Sequence, residues 1–111
     1  MSSTRLIKLL EFLEADPNDP FILYALATEY NAQNDKEKAY SFYLQLTENH
    51  EDYVGTYYHL GKLYEKDKEI EKAIEIYKKG MVVARTKRDM HAFSELQAAY
   101  NTAAGLDYED D

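Results

Sequence analysis

Apolar side chains recur at spacings of three and four along most of this chain, the beat of a helix with one buried face. Leu6, Leu9, Leu10 and Leu13 open the pattern and predict a helix from Thr4 to Ala15. The segment Asp16-Pro17-Asn18-Asp19-Pro20 then breaks it. Asp19 is placed to cap the next helix, and Pro20 suits a first helical turn, where its missing N–H costs nothing. That second helix carries Leu23, Leu26, Ala27 and Tyr30. Asn34-Asp35 interrupts it, and Asp35 is the expected cap of a third helix with Ala39, Phe42, Tyr43 and Leu46. A polar stretch from Glu48 to Asp52 follows, with Asp52 as the expected next cap. Two further helices carry Tyr57, Leu60, Gly61 and Tyr64, then Ile70, Ala73, Ile74 and Tyr77. A last helix from about Asp89 holds Phe93, Leu96, Ala99, Tyr100 and Ala103, and Gly105 is its expected stop. No segment alternates with period two, so the predicted class is all-α, with sequence neighbours packed antiparallel.

The pattern also repeats. A shift of 34 residues lays Leu23 on Tyr57, Leu26 on Leu60, Ala27 on Gly61 and Tyr30 on Tyr64. Glu37-Lys38-Ala39 falls on Glu71-Lys72-Ala73, and Tyr43 falls on Tyr77. Small residues at 27, 39, 61 and 73 suit close helix crossings, and the large tyrosines fill the space between them.

The two copies, Leu23-x-x-Leu26-Ala27-x-x-Tyr30 with Ala39-x-x-x-Tyr43 and Tyr57-x-x-Leu60-Gly61-x-x-Tyr64 with Ala73-x-x-x-Tyr77, resemble the tetratricopeptide repeat. The chain as a whole is similar to short stand-alone bacterial proteins of that family. The resemblance implies a right-handed helical-hairpin solenoid forming one domain over residues 1–111. Its expected parts are a half-repeat helix at 4–16, repeats at 20–53 and 54–87, a capping helix at 89–105 and an acidic tail at 106–111.

In this family the first helix of each pair lines a concave groove. The face opposite the buried stripe carries Phe21, Tyr24, Thr28 and Asn31 in one copy. It carries Gly55, Tyr58, Lys62 and Glu65 in the other, with Lys66 beside them. Tyr24 and Tyr58 match across the copies and are the expected anchors, since tyrosine offers contact area and a hydroxyl at small entropy cost. Relatives that grip the acidic C-terminus of heat-shock chaperones use a clamp of Lys, Arg and Asn on these faces. Here Tyr24, Thr28, Tyr58 and His59 stand in those places, so a chaperone-adaptor role is not expected. Lys62, Lys66 and Arg88 would suit an anionic peptide, and the acidic tail could dock on the basic block of the same or a neighbouring molecule.

Composition narrows the chemistry. The 111 residues carry a net charge of -8, which disfavours nucleic acid as the main partner. The charge is uneven: residues 62–88 hold 9 basic and 5 acidic groups, whereas residues 89–111 hold 6 acidic groups and no Lys or Arg. Cys is absent, which removes disulfides, thiolate metal sites and a cysteine nucleophile. His50, His59 and His91 have no metal-binding spacing, and no Gly-rich phosphate loop or paired acid and base stands out. No apolar run is long enough to span a membrane, and the start lacks a secretory pattern, so a cytoplasmic location is the default. The expected function is a protein-interaction module or scaffold that binds a peptide or helical segment, without cofactor, metal or catalysis. The alternative is a structural homodimer joined through its terminal helices.

Overall fold

The computed structural model describes residues 3–106. Among them lie six helices and no strand: α1 (Thr4–Ala15), α2 (Pro20–Ala32), α3 (Lys36–Asn49), α4 (Gly55–Lys66), α5 (Ile70–Thr86) and α6 (Met90–Ala103). They form two compact units, divided between Tyr53 and Val54. The fold is an all-α array of helical repeats. Of the acidic tail expected at 106–111, residues 107–111 lie outside the described residues.

Helix starts follow local chemistry. Asp19 accepts from the amides of Phe21 and Ile22 at 2.8 and 3.4 Å, Asp35 from Lys38 at 3.3 Å, and Asp89 from Ala92 at 3.1 Å. Ser3 caps α1, accepting from Leu6 N–H at 2.9 Å. Asp52 does not cap α4. It lies in a turn closed by Tyr53 N–H donating to His50 C=O, and the residue before α4, Val54, is already helical at φ -59°, ψ -37°. Without an extended residue there, no side chain swings back onto the first amides.

Four of the six helix ends, those of α2, α4, α5 and α6, share one device. Asn34, Lys68, Arg88 and Gly105 have φ of 64°, 64°, 60° and 74°. In each case the following N–H reaches back five residues, as Asp35 to Tyr30 C=O at 2.9 Å and Glu69 to Tyr64 C=O at 2.8 Å. Gly105 tolerates the left-handed conformation freely, as the expected stop of α6; Lys68 does not. Glu69 follows Lys68 at a cap position but makes no side-chain cap bond, because its extra methylene carries the carboxylate past the amides. Lys68→Asn with Glu69→Asp copies Asn34-Asp35 into the second hairpin. It is expected to raise stability by about 1–2 kcal/mol, read as a higher urea midpoint at unchanged slope.

In the first unit, α1 packs on α2 and α2 on α3. Leu23, Leu26, Ala27, Ala39, Tyr43 and Leu46 are wholly buried, and Tyr30 stacks on Phe42 with ring centroids 5.8 Å apart. The α1 stripe is narrower than its spacing suggested. Leu6 and Leu9 are buried, but Leu13 is half-buried and Leu10 exposed, because α2 covers only part of that face.

In the second unit, α5 packs against both α4 and α6, and α4 also meets α6. The core joins Tyr57, Ala73, Tyr77, Ala84, Phe93, Leu96 and Ala99. A Cβ on Gly61 would intrude on the Tyr77 ring, 2.6 Å from Cζ. Gly80 repeats the arrangement from the other helix: a Cβ there would stand 2.5 Å from Tyr57 Cβ and 3.1 Å from Leu96 Cδ1. Each glycine thus makes room for a tyrosine of the facing helix. Tyr64 is only half-buried, and Lys72 Nζ sits 5.9 Å over its ring.

Candidate functional site: the exposed faces of the first helices

On α2, the buried stripe Leu23, Leu26, Ala27 and Tyr30 fixes which residues turn outward. Phe21 is the most open, at 66% exposure. Tyr24 is half-buried beside Tyr53, with ring centroids 5.4 Å apart. Burial, helped by Tyr53, raises the Tyr24 pKa, so its hydroxyl stays protonated. Thr28 spends its hydroxyl on Ala25 C=O at 3.0 Å, and Asn31 is half-buried. Tyr43 is wholly buried, and its hydroxyl has no hydrogen-bond partner among the described residues.

On α4, Tyr58 is half-buried and meets the His59 ring edge-on at 5.6 Å. Lys62 Nζ lies 5.5 Å over the Tyr58 ring and 4.0 Å from Glu65 Oε2. The same carboxylate oxygen accepts from the Tyr77 hydroxyl at 2.5 Å. Burial and that bond both push the Tyr77 pKa far up. Glu65 therefore turns back toward α5 and ties two partners, while Lys66 is exposed near the end of α4.

Tyr58 and Lys62 line one side of an open hollow of about 260 Å³, completed by Glu95, Ala98, Ala99 and Thr102 of α6. The four α6 residues were not marked by the repeat pattern, because α6 departs from the motif. One signal was present: Glu95 is the only Asp, Glu, Lys or Arg between Met90 and Leu106. Among the described residues, no three His, Cys, Asp or Glu side chains are grouped to hold a metal. None of the described helices is long and apolar enough to cross a membrane.

Tyr43 and Tyr77 occupy the same repeat position with opposite hydroxyl environments. Tyr77→Phe is expected to cost about 1.5 kcal/mol through the lost bond to a carboxylate. Tyr43→Phe removes an unsatisfied buried hydroxyl and is expected to be neutral or stabilising by up to about 1 kcal/mol. Paired urea titrations read the difference; equal losses would contradict the two environments.

His59 has its pKa lowered by burial, with Glu95 partly opposing the shift. The fold therefore favours neutral imidazole. The contribution is fully present above the unfolded value of about 6.5 and is lost as pH falls below it toward the folded value. Unfolding titrations across that window are expected to show a smaller stability loss on acidification in His59→Gln than in the wild type.

The tetratricopeptide repeat family model matches residues 54–81. A comparison with curated proteins found no match. The solution NMR structure of a tetratricopeptide repeat domain protein from Salinibacter ruber is 44% identical, with a TM-score of 0.78, over 86% of this chain and 97% of that one. A crystal structure of a tetratricopeptide repeat domain protein from the same organism is 45% identical, with a TM-score of 0.76, over 80% of this chain and 100% of that one. With two in-register motifs, glycines fitted to facing tyrosines and these similarities, the chain belongs to the tetratricopeptide repeat family.

Proposed function

We propose that this protein is an interaction module that holds a peptide or helical segment of a partner against the outward faces of its first helices. Members of the family are generally protein-interaction modules, and catalysis is not part of this reading. The observation that carries it is the α4–α6 hollow, where a half-exposed tyrosine, small alanine side chains and polar rims converge. Such a surface offers an apolar seat ringed by groups that orient a ligand. Phe21, Tyr24, Thr28 and Asn31 are proposed as contacts of the first unit. Tyr58, Lys62, Glu65 and Lys66 are proposed for the second, with Glu65 acting through Lys62.

Panning a random peptide library against the full chain tests the reading. Recovered peptides are expected to lose about 30-fold in affinity on Tyr58→Ala, the loss of an anchor worth about 2 kcal/mol. Glu75→Ala, exposed on α5, serves as the control and should change nothing. Peptides indifferent to Tyr24→Ala and Tyr58→Ala alike would contradict the proposal.

A second reading, self-association, has its own observation: Ile7 is 50% and Phe12 55% exposed on α1. Sedimentation velocity over a wide concentration range separates the two. A dimer abolished by Phe12→Ser would favour self-association; a monomer throughout would remove it.

A further inference from the structure

We propose that the hollow between α4 and α6 selects a cationic side chain, a lysine or arginine of the bound peptide; this rests on the interaction reading above. The positive charge already there is partly offset. Lys62 Nζ faces Glu65 at 4.0 Å and the Tyr58 ring at 5.5 Å. Glu65 in turn accepts from Tyr77. Across the hollow, Glu95 is the single formal charge of α6, and its ion-pair contact is His91 Nε2 at 3.4 Å.

Counting Lys62, Glu65 and Glu95 together, the surroundings carry one net negative charge. Ala98, Ala99 and Tyr58 supply apolar and aromatic lining. An aliphatic stem fits an apolar lining, while its charged head reaches a rim carboxylate, as long cationic side chains do elsewhere. An aromatic ring adds attraction for the same cation. The sign is opposite to the anionic ligand that Lys62, Lys66 and Arg88 suggest as a list of residues. The difference lies in the pairing of Lys62, which the residue types alone do not reveal.

The test uses three capped pentapeptides, Gly-Ala-Xaa-Ala-Gly, in which Xaa is lysine, acetyl-lysine or glutamate. Each is titrated into the ¹⁵N-labelled full chain. The lysine peptide is expected to move the amides of Tyr58, Glu95, Ala98 and Thr102, and the acetylated and glutamate peptides to move them far less. Glu95→Gln should weaken the lysine peptide by about fivefold, the upper end for a partly exposed ion pair. Lys62→Met should strengthen it by removing a competing cation. Both side chains are about half exposed, so thermal midpoints near that of the wild type check that the variants fold. Acetyl-lysine binding as well as lysine, a preference for glutamate, no response to the lysine peptide, or indifference to Glu95→Gln would each overturn the proposal. If library-selected peptides still require Tyr58 in any of those cases, the interaction reading stands and only the cation assignment falls. If they do not, both fall.

Discussion

Gly61→Leu is expected to destabilise the second unit by about 3 kcal/mol, and Gly61→Ala by about 1–2 kcal/mol. The alanine variant decides between two physical effects of opposite sign. Helix propensity alone says that alanine in place of glycine inside a helix stabilises by about 0.5–1 kcal/mol. Packing says the reverse, because the new methyl group would overlap the edge of the Tyr77 ring, 2.6 Å from Cζ. The ring cannot easily retreat: Tyr77 is wholly buried, and its hydroxyl is held by Glu65. Far-UV circular dichroism in urea reads the midpoint. A more stable Gly61→Ala would show that Tyr77 moves at little cost and that the crossing is not as tight as described.

Leu96→Ala is expected to cost about 2–5 kcal/mol, the range for deleting a large aliphatic side chain from a packed core. Leu96 is 1% exposed and is the α6 side chain that reaches the Gly80–Tyr57 crossing. Its loss leaves a void where three helices meet, and helices already in contact have little room to collapse. Because the same helix supplies Glu95, Ala98, Ala99 and Thr102, peptide affinity at the hollow should fall with stability. Leu106→Ala, exposed beyond the end of α6, is the matched control and should lie within about 0.5 kcal/mol of wild type. A loss below about 1 kcal/mol in Leu96→Ala would mean that α6 lies loosely on the core.

Much of the fold was legible because it is written locally. Asp19, Asp35 and Asp89 announce helix starts through their own reach to nearby amides, and the 34-residue beat announces the hairpins. What escaped depends on neighbours distant in sequence. Gly80 aligns with Leu46 one repeat earlier, so the repeat gives no hint that Tyr57 and Leu96 demand a glycine there. Leu10 has the right spacing for a core residue and lacks a second helix to cover it. Asp52 has the right chemistry for a cap and the wrong backbone beside it. Tyr43 and Tyr77 read alike; Glu65 accepts from the Tyr77 hydroxyl, whereas the residue one repeat earlier is Asn31 and the Tyr43 hydroxyl finds no partner among the described residues. At the candidate site, Tyr58 and Lys62 were visible from the repeat, whereas Glu95 and Thr102 needed α6 brought alongside α4 through their common packing on α5.

The most direct test of the interaction face is an amide map of the full chain bound to a library-selected peptide. The predicted result is that the largest shifts fall on Tyr58, Lys62, Ala98 and Thr102, with Glu71, Glu75 and Lys78 on the exposed side of α5 unmoved. Shifts concentrated on those α5 positions, with the α4 and α6 residues silent, would contradict it.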